Sequence, residues 1–256
     1  MATVQSNVID DKLKADLDRL AKAGRILDLN GHSDKIFGHV SMRDPDKRGF
    51  WMKRHKISIG ELWDHRDFVL VAFDGKKLFG DGDRHSEWPI HGKIYERRPD
   101  VNSVGHTHPF YGCIYSGVAE PLRTITGGDA PPPRFTAMSG LVVKPEQGEM
   151  LAMALGKSDS MFMRNHGVVF CGESIEAMTC AGIALEDRCR QVLTAKASGL
   201  DVQPIPADES YGRLDVGTGY GTPQGLFDYY ARVLERAEAQ GTPSLSNKAV
   251  PMARLR

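Results

Sequence analysis

The chain has 256 residues, with 33 basic and 33 acidic side chains and 41% hydrophobic residues, so it carries enough apolar material for a sizeable core and no net charge. The two signs are interspersed, which excludes the basic footprint of a nucleic-acid binder, and no run approaches the roughly 20 apolar residues of a membrane span. The first residues lack a basic segment followed by an apolar one, so the expectation is a cytoplasmic protein folded as one domain over 1–256, without a linker.

Leu13, Leu17, Leu20, Gly24 and Leu27 recur at three- and four-residue steps and predict an amphipathic helix ending near Asn30–Gly31. Short apolar or alternating runs predict strands at 40–43, 50–53 and 68–73, and Asp74–Gly75 signals a hairpin to the run at 77–79. In the stretch Arg84-His-Ser-Glu-Trp-Pro-Ile-His91, Ser86 reads as an N-cap, Glu87 suits the positive helix end and Pro89 fits a first turn. That helix should run to about Arg98 and stop at Pro99, leading into a strand that ends in His106-Thr107-His108.

Residues 127–134 contain three consecutive prolines, which remove backbone donors and fix φ, so they should form a rigid loop and a candidate pocket wall. Beyond it, helices are expected at 145–155 and from Ser174 to Ala195, with Ser174 as N-cap. Between them lie an apolar strand at 160–163 and the turn Arg164-Asn165-His166-Gly167, with Gly167 the expected permissive residue. Strands among helices in this order imply an α/β fold, with a mostly antiparallel sheet covered on both faces. Cys113, Cys171, Cys180 and Cys189 have neither metal-site nor disulfide spacing and read as small buried hydrophobes; Cys113, near His108, is the one to watch.

The chemistry is concentrated in the histidines. In a strand, side chains at i and i+2 share a face roughly 6.6 Å apart, so His106 and His108 can close on one metal ion. His166, at another strand end, supplies a third imidazole, and three neutral imidazoles leave a coordination position open, as in a catalytic site. Taken singly, each histidine could equally be a polar strand end, and Glu87 a first-turn helix charge.

Ser86-Glu87-Trp88, His91, Arg98-Pro99-Asp100-Val101, His106-Thr107-His108-Pro109 and Arg164-Asn165-His166-Gly167, in this order and spacing, resemble the class II aldolase/adducin family over roughly residues 10–200. The resemblance implies a three-layer α/β/α fold, a divalent ion on His106, His108 and His166, and an acid/base carboxylate at Glu87. It also implies a homotetramer with active sites at subunit interfaces. The segment 205–256 lies outside it, and its Tyr211, Tyr220, Tyr229 and Tyr230 suggest a tail that packs on a neighbouring subunit. Imidazole ligands put zinc first, with manganese or iron as alternatives.

A divalent ion beside a carboxylate suits reactions in which negative charge develops as a neighbouring carbon–carbon bond breaks. Sugar-phosphate aldolases of the family carry a Gly-Asn pair where this chain has Gly38-His39, and a small flexible loop where it has Lys53-Arg-His-Lys-Ile-Ser58. A phosphate cradle wants free backbone donors, whereas His39, Arg43, Lys53, Arg54 and His55 offer side-chain donors for carboxylates. Balancing acids nearby leave open that these are a solvated edge. The pattern is similar to the branch that decarboxylates hydroxylated aromatic or pyridine carboxylic acids. His39, Arg54 and Ser86 are then the candidate substrate-binding residues. The alternatives are an aldolase for a non-phosphorylated hydroxy-keto acid or sugar, a non-haem iron oxygenase, and an adducin-like interaction domain.

Overall fold

The computed structural model describes residues 9–126, 130–206 and 221–241. In chain order the elements are α1 (Asp11–Leu29), β1 (His39–Arg43), β2 (Phe50–Lys53), β3 (Phe68–Val71), β4 (Lys77–Phe79), α2 (Trp88–Arg97), β5 (Ser103–Thr107), α3 (Phe110–Ser116), β6 (Arg134–Phe135), α4 (Pro145–Leu155), β7 (Ser160–Met163), β8 (Gly167–Gly172), α5 (Ile175–Ala197) and α6 (Pro223–Ala239). The strands form one sheet in the order β4-β3-β2-β1-β5-β8-β7-β6. Every neighbouring pair is antiparallel except the edge pair β6–β7, which is parallel.

The sheet lies between two helical layers. Leu13, Leu17, Leu20 and Leu27 of α1 join residues of α5 and α6 in one apolar cluster, while Ile90, Ile94 and Leu151 from α2 and α4 join the other. Both faces of the central strands are covered, so β3, β7 and β8 are uniformly buried rather than alternating. Each fully buried leucine is worth roughly 1.5–3 kcal/mol relative to exposure, and this ties the layers together. Among the described residues, no helix is long and apolar enough to cross a membrane.

Local signals account for most element ends. The Asp10 carboxylate accepts from the Leu13 N–H at the start of α1, and Ser174 Oγ accepts from the Ala177 N–H at the start of α5. Gly31 with φ 95° ends the first helix as expected. Two expectations are corrected. The residue capping α2 is Glu87 rather than Ser86, and Ser86 is exposed, because the chain reaches the helix with Glu87 turned inward. The left-handed residue of the β7–β8 turn is Asn165, φ 53°, not Gly167. Gly167 is needed for another reason: a Cβ there would lie 2.5 Å from the Thr107 carbonyl oxygen and 2.6 Å from His108 Cδ2.

The third predicted strand stops at Val71; of the expected loop at 127–134, residues 127–129 lie outside the described residues, and the chain after the three prolines enters β6 at Arg134. All four cysteines are free; Cys171 and Cys189 are buried and Cys113 and Cys180 half-buried. In the tail, α6 docks on its own chain through buried Phe227 and Leu234, with Lys22–Glu235 and Arg25–Glu238 ion pairs at 3.1 and 2.9 Å. Tyr211 and Tyr220 lie outside the described residues, while Tyr229 is exposed.

Candidate metal and acid–base site

β1 and β5 are adjacent and antiparallel, and their register sets His39 opposite His106. His106 Nδ1–H donates to the Val168 carbonyl at 2.9 Å across the β5–β8 pairing. That hydrogen bond fixes the tautomer and leaves the Nε2 lone pair pointing inward, buried and without a hydrogen-bond partner. His108 sits one residue past the strand end, with Nδ1 3.7 Å from Asp34 Oδ2. His166 enters from the β7–β8 turn, and its buried Nδ1 has no hydrogen-bond partner.

The three rings converge, with centroids 4.8 Å (His106–His108), 4.9 Å (His106–His166) and 5.1 Å (His108–His166) apart. One ligand nitrogen from each lies within 4.8 Å of the other two. Burial pushes His106 well below the usual imidazole range and also lowers His166. A cluster of neutral imidazoles with inward lone pairs fits a divalent cation of the zinc or iron type.

Glu87 is only 2% exposed, which a helix-start glutamate rarely is. Its Oε1 accepts from the Val142 N–H at 2.9 Å, while Oε2 faces His39 Nε2 at 3.7 Å and His106 Nε2 at 3.8 Å. Burial raises its pKa to about 7, partly offset by the Val142 hydrogen bond. A carboxyl group poised near neutrality can accept or deliver a proton. His39, Glu87 and His106 thus form a second group of ligand atoms within 4.8 Å of one another, sharing His106 with the first.

The residues expected to bind substrate differ in exposure, Ser86 being exposed. His39 is fully buried, with Nδ1 2.6 Å from His91 Nε2. Arg54 is ion-paired with Asp67 at 3.3 Å and keeps its side chain 35% exposed. Two other members of the basic cluster are structural. The Arg43 guanidinium donates to the Tyr95, Arg98 and Val101 carbonyls, and buried Lys53 donates to Ile36 and Ile57 carbonyls. His55 packs edge-on against His85, which burial holds down at about 3.

Ser41, Tyr95 and Asp34 belong to no motif in the sequence, and His91 stands out there only as part of one. Ser41 Oγ lies 2.6 Å from His91 Nδ1 and 2.7 Å from the Tyr95 hydroxyl. A signal did exist: His39 and Ser41 share the polar face of a strand whose other face is Val40 and Met42, and His91 and Tyr95 share one face of a helix.

A family model, Class II Aldolase and Adducin N-terminal domain, matches residues 18–193. The chain is 33% identical over 187 residues to a 4-hydroxy-3-prenylphenylpyruvate oxygenase/4-hydroxy-3-prenylbenzoate synthase of Streptomyces roseochromogenus subsp. oscitans, covering 70% of this chain and 67% of the relative. It is 27% identical over 221 residues to a 3,4-dihydroxyphthalate decarboxylase of Terrabacter sp., covering 80% and 92%. Among solved structures, an aldolase II superfamily protein from Pseudomonas syringae superposes with a TM-score of 0.73 at 23% identity, over 90% of this chain and 95% of that one.

Proposed function

The chain belongs to the class II aldolase and adducin family, whose aldolases use divalent metal ions, and on that premise we propose that it is a metal-dependent lyase that decarboxylates a non-phosphorylated hydroxylated aromatic or pyridine carboxylic acid. The observation that carries this reading is the convergence of His106, His108 and His166 beside a buried glutamate poised near neutrality. The similarity to a decarboxylase of a dihydroxylated aromatic diacid supports the substrate class.

His106, His108 and His166 would hold the ion, zinc in the first place. Such an ion, when bound, supplies positive charge beside the substrate oxygen as the bond to the departing carboxylate breaks. The electron pair of that bond stays on the ring carbon, CO2 leaves, and Glu87 delivers the proton that restores the aromatic C–H. Burial of Glu87 keeps it protonated up to about neutral pH, so it can act as an acid where an exposed glutamate would already be ionised. Arg54, through its partly exposed guanidinium, and exposed Ser86 are the residues proposed to hold a second substrate carboxylate.

A second reading, oxygenase chemistry at the same three histidines, is favoured by the 33% identity to a relative named as an oxygenase. Metal analysis of protein purified without added metal, followed by a screen of hydroxylated aromatic carboxylates beginning with 3,4-dihydroxyphthalate, separates the two. Stoichiometric CO2 release without oxygen consumption supports the lyase, and oxygen-dependent turnover supports the oxygenase. Efficient cleavage of a ketose 1-phosphate to dihydroxyacetone phosphate and an aldehyde would overturn both and restore the aldolase. The proposed assembly is a homotetramer with sites at subunit junctions, to which the exposed Tyr229 face of α6 would contribute; a monomeric mass by light scattering would contradict it.

A further inference from the structure

Four buried side chains form an unbroken line: Tyr95 hydroxyl to Ser41 Oγ at 2.7 Å, Ser41 Oγ to His91 Nδ1 at 2.6 Å, and His91 Nε2 to His39 Nδ1 at 2.6 Å. All four are at most 1% exposed, so no solvent can repair an unmatched donor or acceptor along it. At the far end His39 Nε2 has no hydrogen-bond partner and faces Glu87 Oε2 at 3.7 Å.

We propose that this line is polarised in one direction and makes His39 a positioning residue for Glu87: its Nε2 carries a hydrogen, points it at Oε2, and is thereby barred from acting as a metal ligand. A neutral imidazole has one N–H, so the chain has two possible senses. In the first, the Tyr95 O–H donates to Ser41, the Ser41 O–H donates to His91 Nδ1, and the His91 Nε2–H donates to His39 Nδ1. His39 then carries its hydrogen on Nε2, facing a carboxyl oxygen 3.7 Å away, and every donor within the line itself is used. In the reverse sense the Tyr95 hydroxyl hydrogen has no acceptor among the hydrogen bonds it makes. The stranded buried donor at the Tyr95 end selects the first sense, in which the last hydrogen of the line faces a carboxyl oxygen instead.

The consequence concerns two overlapping ligand groups. His106 has its hydrogen on Nδ1, committed to Val168, so its Nε2 can bind a metal, whereas His39 has the opposite tautomer. The group His39, Glu87 and His106 is therefore an acid–base pair beside a ligand, and a cation belongs with His108 and His166. The Val142 N–H holds Glu87 at Oε1, and the His39 Nε2 hydrogen faces Oε2 from 3.7 Å, a contact that would have to shorten to become a hydrogen bond. This rests on the acid–base role proposed for Glu87, but the tautomers themselves do not.

The test uses the full-length protein labelled with nitrogen-15 histidine and carbon-13 glutamate, as purified and after zinc addition. The expected spectrum has His39 and His91 protonated on Nε2 and His106 on Nδ1, and Tyr95→Phe, which removes the hydrogen that sets the sense, converts His39 and His91 to mixed tautomers. Two variants rank oppositely under the competing roles, because a glutamine amide reaches the position of Nε2 and an asparagine amide that of Nδ1. His39→Gln should leave the Glu87 carboxyl resonance near its wild-type position and His39→Asn should shift it, both with full zinc content. His39 protonated on Nδ1 in the wild-type protein, or an unshifted Glu87 resonance in folded His39→Asn, overturns the proposal. Loss of zinc from both variants overturns it too, by making His39 a ligand. Zinc retained after removal of His106, by contrast, defeats the metal reading and leaves the tautomer result standing.

Discussion

Two groups of histidines lie side by side in this molecule and differ in one respect. In the pair His39–His91, the facing nitrogens are bound to each other, and the line continues through Ser41 to Tyr95. In the trio His106, His108 and His166, the rings approach equally closely, yet inward nitrogens of His106 and His166 have no hydrogen-bond partner. Burial lowers the affinity of His39, His91, His106 and His166 for protons, so charge does not separate the groups. What an imidazole can do here is set by what its other nitrogen touches: a carbonyl behind the ring frees a lone pair in front, and the Ser41 hydroxyl behind His91, in the proposed polarity, places a hydrogen there.

The largest expected effect breaks the trio. His106→Ala, His108→Ala and His166→Ala should each abolish metal retention, measured by elemental analysis after gel filtration, because two imidazoles make a weak site. Stoichiometric metal in all three variants would end the distinction between the groups. Next is Glu87→Gln, which should keep the metal and lose roughly two to four orders of magnitude in turnover, the usual scale of a general acid or base. Metal lost with this change would make Glu87 a ligand.

Breaking the pair should cost stability rather than metal. Ser41→Ala leaves His91 Nδ1 without a partner and takes from the Tyr95 hydroxyl its Ser41 partner in the core, so denaturant unfolding of the metal-free protein should show a loss of about 1–3 kcal/mol with zinc stoichiometry intact. An unchanged midpoint would mean that the line is not a closed network.

The smallest effect is a slope. His32, His85 and His91 titrate at about 3 in the folded chain, against 6.5 for the free imidazole, so the unfolded chain binds their protons first as pH falls. Their stabilisation is present above pH 6.5 and is lost progressively towards 3. Glu87 acts oppositely: its pKa is raised to about 7 from 4.5, so its contribution is complete below 4.5 and disappears as pH rises to 7. Stability of the metal-free protein should therefore fall from pH 6.5 to 4.5, and Glu87→Gln should steepen that fall by about one proton, roughly 1.4 kcal/mol per pH unit. Parallel profiles for wild type and variant would show that Glu87 titrates as an ordinary surface acid.

Much of this molecule could be read from its residues in order. The leucine spacing of α1, the serine before α5, the Asp74–Gly75 hairpin and the strand leading to His106 are local patterns, and local hydrogen bonding and burial make those elements wherever the chain lies. The ordered set of histidine and glutamate fragments likewise resembled a family through its order and spacing along the chain. Other assignments needed the assembled sheet. Arg43 and Lys53 look like ligand-binding cations in the sequence, but both donate to backbone carbonyls from other segments. Ser86 and Glu87 exchange their expected places, since packing turns the glutamate inward and leaves the serine outside. The residue types available for chemistry were determined by the sequence alone. Which nitrogen of each histidine faces the site was decided by tertiary structure, because a tautomer depends on the partner behind the ring, and those partners, Val168 for His106 and His91 for His39, are 62 and 52 residues away along the chain.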